Sequence, residues 1–189
     1  MSNPSTAQAE WRAVLDFWLL QISPKKWFSC DDALDEQIRI KFSALHAAAV
    51  VGALKSWRET PQGCLGEIIL LDQFSRNLYR DDPRAFASGG QAREIMALAL
   101  AQGFDAGMSV DEKRFLYMPL QHSKNVADQV RSIEMFRALE DEKTFELGKS
   151  GKVEKQVNPV IYSTGIGGFT FADEMLPLVW KCGTKLWAG

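Results

Sequence analysis

From Ile69 to Asp82 the chain reads ILLDQFSRNLYRDD, a run of core residues that fills with Asp72, Gln73, Arg76, Asn77 and Arg80. Two guanidinium groups and two side-chain amides at this spacing can hold a carboxylate or phosphate, because the planar arginine fork donates two parallel hydrogen bonds to such a group. Asp72, four residues before Arg76, is placed to orient it. At about 100° per residue, Ile68, Leu71, Phe74 and Leu78 share one arc of a helix, while Gln73, Arg76, Asn77 and Arg80 gather on the opposite one. Asp72 and Tyr79 flank the polar arc. On a solvated face the Asp72–Arg76 pair would contribute only a few tenths of a kcal/mol. Ile68, Ile69, Leu70 and Leu71 leave no polar side, however, so other elements must surround this helix and its polar arc must face an enclosed groove.

His122 is the second chemical candidate. It stands between Pro119 and the helix start expected at Ser123, at the kind of junction where loops carry function. An imidazole there serves either as a general acid or base or as a hydrogen-bonded junction residue. His46, inside ALHAAAV, reads as a core-edge histidine. Two histidines and scattered carboxylates form no metal-ligand spacing, so no metal is expected. No cofactor is expected either: GIGGF at Gly165 to Phe169 lacks the last glycine and the strand context of a dinucleotide fingerprint. Of the six tryptophans, Trp11 and Trp18 fit a core stripe; Trp57, beside Arg58, is the one placed to serve a groove.

The elements that must position these groups are helical. Trp11, Val14, Leu15 and Trp18 mark an amphipathic helix over residues 7–20, closed by Ser23-Pro24. Ile38, Phe42, Leu45 and Ala49 mark a second over 33–57, and the segment described above forms a third over 65–80. Asp82-Pro83 is a helix start signal; QAREIMALALAQ is helical up to Gly103. Ser109 and Glu112 form a capping box before KRFLYM, with Pro119 expected to end that helix. Val126, Val130, Ile133, Phe136 and Leu139 carry a last helix over 123–142. Six helices joined by short turns predict an all-α array of antiparallel helical hairpins over residues 1–145. From 146 to 189 the helical period is lost, and a loop-rich tail of the same domain is expected.

The strings ILLDQFSRNLYRDDPRAFA and RFLYMPLQHS, with AVVGALKSW before them, resemble a family of mostly bacterial proteins of unknown function, domain-of-unknown-function family nine-two-four. The resemblance covers Val14 to Leu139. It implies a fold grouped with the tetratricopeptide-like helical proteins and no established activity. Three departures stand out. Relatives carry an acidic residue where this chain has Gly89; His122-Ser123-Lys124 replaces their H-S-E; and the Arg/His-rich stretch with which they finish does not occur after Phe145, through divergence or an altered reading of the coding sequence.

Length and composition bound the rest. A chain of 189 residues, 46% hydrophobic and 24% charged, suits one globular domain. Near balance of 22 basic and 24 acidic residues gives no overall field toward nucleic acid or an anionic membrane. Cys30, Cys64 and Cys182 are odd in number, widely spaced and in no C-x-x-C pair, which speaks against a disulfide framework or zinc site and for reduced thiols in a cytoplasm. The first ten residues lack a secretory pattern. Three functions follow as expectations. The first is a groove that binds an anionic small molecule or peptide carboxylate through Arg76 and Arg80, with Asp72, Gln73, Asn77 and His122 around it. The second is a hydrolase or transferase using His122 as acid or base. The third is a structural protein whose buried polar network fixes helix packing. Whether the chain is an enzyme, and its oligomeric state, are not legible in the sequence.

Overall fold

Capping residues set where the helices begin. Asp31 accepts from Leu34 N at 3.1 Å and starts α2 (Asp32–Val50). Thr60 accepts from Gly63 N at 3.1 Å, with Pro61 at the first position of α3 (Pro61–Ile68). Before them lies α1 (Pro4–Leu15), which runs straight into a π-helical turn, Asp16–Gln21. In the same way α3 continues as a second π-helical turn, Ile69–Phe74, and then as α4 (Ser75–Leu78). After these come α5 (Gly89–Ala101), α6 (Val110–Gln121) and α7 (Val126–Lys149), with short 3-10 turns in the connections. The computed structural model describes residues 4–149, with side chains described over 8–140. Among the described residues every element is helical, as expected of an all-α chain.

The Ser109–Glu112 capping box forms with both of its bonds at the head of α6. Other boundaries differ from the sequence reading. The second helix ends at Val50, because Gly52 takes the left-handed conformation (φ 73°) that lets the chain turn, and a 3-10 turn (Lys55–Glu59) follows. The third starts at Pro61, four residues earlier than expected, and stops at Leu78, before Arg80. Pro119 stands inside α6 without ending it, since in the last turn its missing N–H forfeits only one ladder bond. The last helix begins at Val126 and runs to Lys149, past the expected end. Residues 146–149, the start of the expected loop-rich tail, belong to α7, and the rest of that tail, with Gly165 to Phe169 in it, lies outside the described residues. Cys64 is a buried free thiol, whereas Cys30 is disulfide-bonded, so the expectation of reduced thiols holds at Cys64 and fails at Cys30.

The rod formed by α3, its π-helical turn and α4 is the centre of the molecule. α3 packs against α1, α5 and α6, while the π-helical turn and α4 pack against α2. Every residue from Gly63 to Ser75 is buried, so an apolar run without a polar side did mark a surrounded helix. Gly63 lets α3 start beneath the preceding turn: a Cβ there would lie 2.0 Å from the Trp57 carbonyl oxygen. Trp57 is itself core, 2% exposed, and does not serve a groove. Around the rod, Trp18 meets Phe74 and Phe115 edge-on at 5.5 and 5.8 Å, and Trp27 meets Phe115 at 4.9 Å. Trp27 Nε1 donates to the Trp18 carbonyl at 2.8 Å, which ties the loop after α1 to the core. No helix among the described residues is long and apolar enough to cross a membrane.

Candidate functional site

Asp72 sits in the π-helical turn, with its side chain only 2% exposed. Its carboxylate accepts from three side chains. His122 Nδ1, at the end of α6, lies 2.9 Å from both oxygens; Gln73 Nε2 is 2.6 Å from Oδ2; Arg76 Nη2, one turn on, is 3.3 Å from Oδ1. Burial penalises the charged form of Asp72. The charge of Arg76, the N–H bonds from His122 and Gln73, and the charge of His122 whenever its ring is protonated outweigh that penalty and hold the carboxyl below its ordinary range. Asp72 is therefore ionised and can only accept, so Nδ1 of His122 carries the proton. Burial first, and then the Arg76 charge, lower the His122 imidazole below its usual value despite Asp72. A neutral ring with Nδ1 protonated leaves a lone pair on Nε2.

Two atoms of this cluster are buried without a hydrogen-bond partner: His122 Nε2 and Arg76 Nε. Both residues line a cleft of about 390 Å³, bounded also by Phe86, Gly89 and Gly90 near the start of α5, and by Arg93 and Lys124. The Arg76 guanidinium lies over the Phe86 ring, 4.9 Å from its centroid. Arg93 Nε is 3.5 Å from Asp128, a half-exposed pair on the rim. Ser123, beside His122, is already engaged: it donates to Asp128 at 2.6 Å and accepts from Asn125 N at 3.1 Å, which anchors the start of α7. Gly89 and Lys124 both lie on this wall.

The polar arc read from the sequence is thus divided between two interfaces. Asp72, Arg76 and His122 come together at the cleft, and Gln73 supports Asp72 from behind. Asn77 and Arg80 do not line it, which corrects their placement in the same groove. Arg80 grips both oxygens of Asp35 on α2, with Nη2 2.6 Å from Oδ1 and Nε on Oδ2. Asn77 Nδ2 donates to the same Oδ1 at 2.8 Å. The bond to Asp35 raises the Arg80 guanidinium above its ordinary value. The reason is local: the helix ends at Leu78 and Tyr79 leaves helical geometry (φ −124°, ψ 46°), so Arg80 no longer follows the helical wheel. These two residues perform the structural task that the third sequence reading gave to the whole arc.

Sequence reasoning missed Asp35, Glu67 and Arg93. Asp35 had a signal, since it precedes Ile38 and Phe42 on the apolar stripe of α2, where an acid needs a partner. Glu67 directly precedes the apolar run; it is fully buried and held by both Arg58 Nη2 and Nε at 2.7 and 2.8 Å. Arg93 had no signal within its own helix. His46 is buried as a core-edge histidine should be, with Nε2 2.8 Å from Ser75 Oγ, and burial lowers its imidazole.

The family model described as bacterial protein of unknown function (DUF924) matches residues 14–165, from the first residue of the expected resemblance to well past Leu139. A solved structure of a protein of unknown function from Agrobacterium tumefaciens is similar at 29% identity, over 77% of this chain and 86% of that one, with a TM-score of 0.66. No curated protein matches the chain significantly. A match across most of the chain, over a range that includes the segments that build the central rod and the cleft, makes this protein a member of the DUF924 family of bacterial proteins of unknown function.

Proposed function

We propose that the cleft binds an anionic small molecule or the carboxylate end of a peptide, with Arg76 as its principal contact. The observation that carries this reading is the buried, unpartnered Nε of Arg76 in a cleft whose lining includes Arg93 and Lys124 as further cations. A buried donor without an acceptor is costly, and an oxyanion removes that cost with charge-assisted bonds. Asp72, the one carboxylate among the described residues of the lining, is already committed to three donors. The volume falls within the range of about 300–1,000 Å³ usual for small-molecule sites. A tetratricopeptide-like array in the cytoplasm is part of the same proposal, and the order of helical hairpins supports the array. The test is thermal stabilisation by a library of carboxylates, phosphates and short peptides, repeated with Arg76→Ala. The best ligand should lose its effect in the variant; undiminished stabilisation would remove Arg76 from the site.

A second reading, a hydrolase or transferase with His122 as acid or base, is favoured by one feature: Asp72 fixes the ring so that Nε2 carries the lone pair. Ser123 is engaged elsewhere, so the nucleophile His122 activates would be water or a second substrate. This reading expects a pH-dependent rate that disappears in His122→Ala. No turnover across ester, phosphate and amide substrates would dismiss it.

A further inference from the structure

We infer that the ligand of this cleft is an oxyanion bearing a proton donor beside its charge, a hydrogenphosphate-type group or a hydroxycarboxylate, because the site pairs one buried acceptor with one buried donor. The inference rests on the anion-binding reading and names the chemical class of its ligand. The two orphan atoms have opposite needs. Arg76 Nε can only donate. His122 Nε2 can only accept while Nδ1 donates to the Asp72 carboxylate. Their side chains are held side by side, since both bond the same oxygen of Asp72, Oδ1, at 2.9 and 3.3 Å. A compact ligand group seated against both residues of the lining would meet both needs.

A fully deprotonated anion satisfies Arg76 but sets an acceptor oxygen against the lone pair of Nε2. To take such an anion the ring must first gain a proton, which its burial and the neighbouring Arg76 charge oppose. Among the described residues of the lining only Asp72 favours that proton; Arg76, Arg93 and Lys124 are cationic. An O–H next to the anionic oxygen removes the conflict. It donates to Nε2, and the anion accepts from Arg76. Sites built around one such bond discriminate strongly, because the analogue without it leaves a buried polar atom unpaired.

The test uses pairs that differ by one donor: hydrogenphosphate against sulfate, which carry equal charge, and 2-hydroxypropionate against propionate. Affinities are measured by calorimetry on the full chain at about pH 8, well above the ordinary histidine range. The proton-bearing member of at least one pair should bind about tenfold or more tightly, and the pair that discriminates identifies the source of the donor. His122→Asn keeps an N–H for Asp72 and offers nothing at Nε2, so the preference should collapse toward unity; the melting temperature of the unliganded variant reports whether it folds. Should it fail to fold, the ratios of the parent protein decide. Equal affinities within both pairs, abolished by Arg76→Ala, would overturn this inference and leave the anion site standing. A preference that survives in folded His122→Asn would overturn it too. Absence of any Arg76-dependent binding would overturn both readings.

Discussion

Asp72→Asn is the perturbation that most directly probes the cluster at the head of the cleft. The substitution keeps shape and removes charge. At an effective dielectric of about 20, the Asp72–Arg76 attraction across 3.3 Å is worth roughly 5 kcal/mol before desolvation is counted. Removing the charge also relieves the desolvation cost of a carboxylate that is only 2% exposed, which returns part of that sum. Arg76 keeps 22% exposure, so water compensates some of its loss. The new amide brings N–H groups where Gln73 and His122 already donate, so at least one bond becomes a donor–donor clash. Breaking one partner of a buried pair costs about 3–5 kcal/mol, and the partial solvation of Arg76 places the expectation near 3. In urea denaturation at neutral pH, a slope of about 2 kcal/mol/M makes this a midpoint drop of roughly 1.5 M. A double-mutant cycle with His122→Asn should show coupling above about 1 kcal/mol. A loss below about 1 kcal/mol, the scale of an exposed pair, would refute the buried cluster and the cleft built on it.

Acidification should destabilise the protein in two stages. Burial lowers both His122 and His46, so the unfolded chain takes up protons near the ordinary value of about 6.5 while the folded one does not; stability then falls as pH drops below that value, by up to about 1.4 kcal/mol per pH unit for each histidine. Asp72, held low in the fold, contributes stability above about pH 4 that is lost below it. Denaturation at several pH values checks both stages, and the difference between parent and His122→Asn between about pH 7 and 5 isolates the His122 share. Arg80→Ala, which strips Asp35 of its bidentate partner, should cost about 3 kcal/mol in the same assay without altering ligand affinity at the cleft. Arg80→Lys should recover only part, since an ammonium cannot match both oxygens. Gly63→Ala should cost at least 1–3 kcal/mol, roughly the penalty for forcing extra volume into a packed site, because its Cβ would meet the Trp57 carbonyl at 2.0 Å; a stability within about 0.5 kcal/mol of the parent, the range of surface substitutions, would contradict this packing.

What the sequence determined by itself were properties that depend on neighbours along the chain. The helical period of Trp11, Val14 and Trp18, the capping box at Ser109 and Glu112, and the burial implied by the run from Ile68 to Leu71 all follow from a repeat of three to four residues, and all recur in the fold. Family membership was legible for the same reason, since LLDQFSRN and FLYMPLQHS are continuous strings. Only the tertiary structure decided which polar residues share a site. A helical wheel places Arg76 and Arg80 on one arc, but it cannot register that the helix stops at Leu78, or that Asp35 waits forty-five residues earlier to claim Arg80. Nor can it show that Asp72, fifty residues before His122, meets that ring at 2.9 Å. A charged side chain entering the interior bonds to whichever complementary group packing brings near, and packing joins elements that are remote in sequence, so the cleft and the state of its histidine belong to the folded molecule alone.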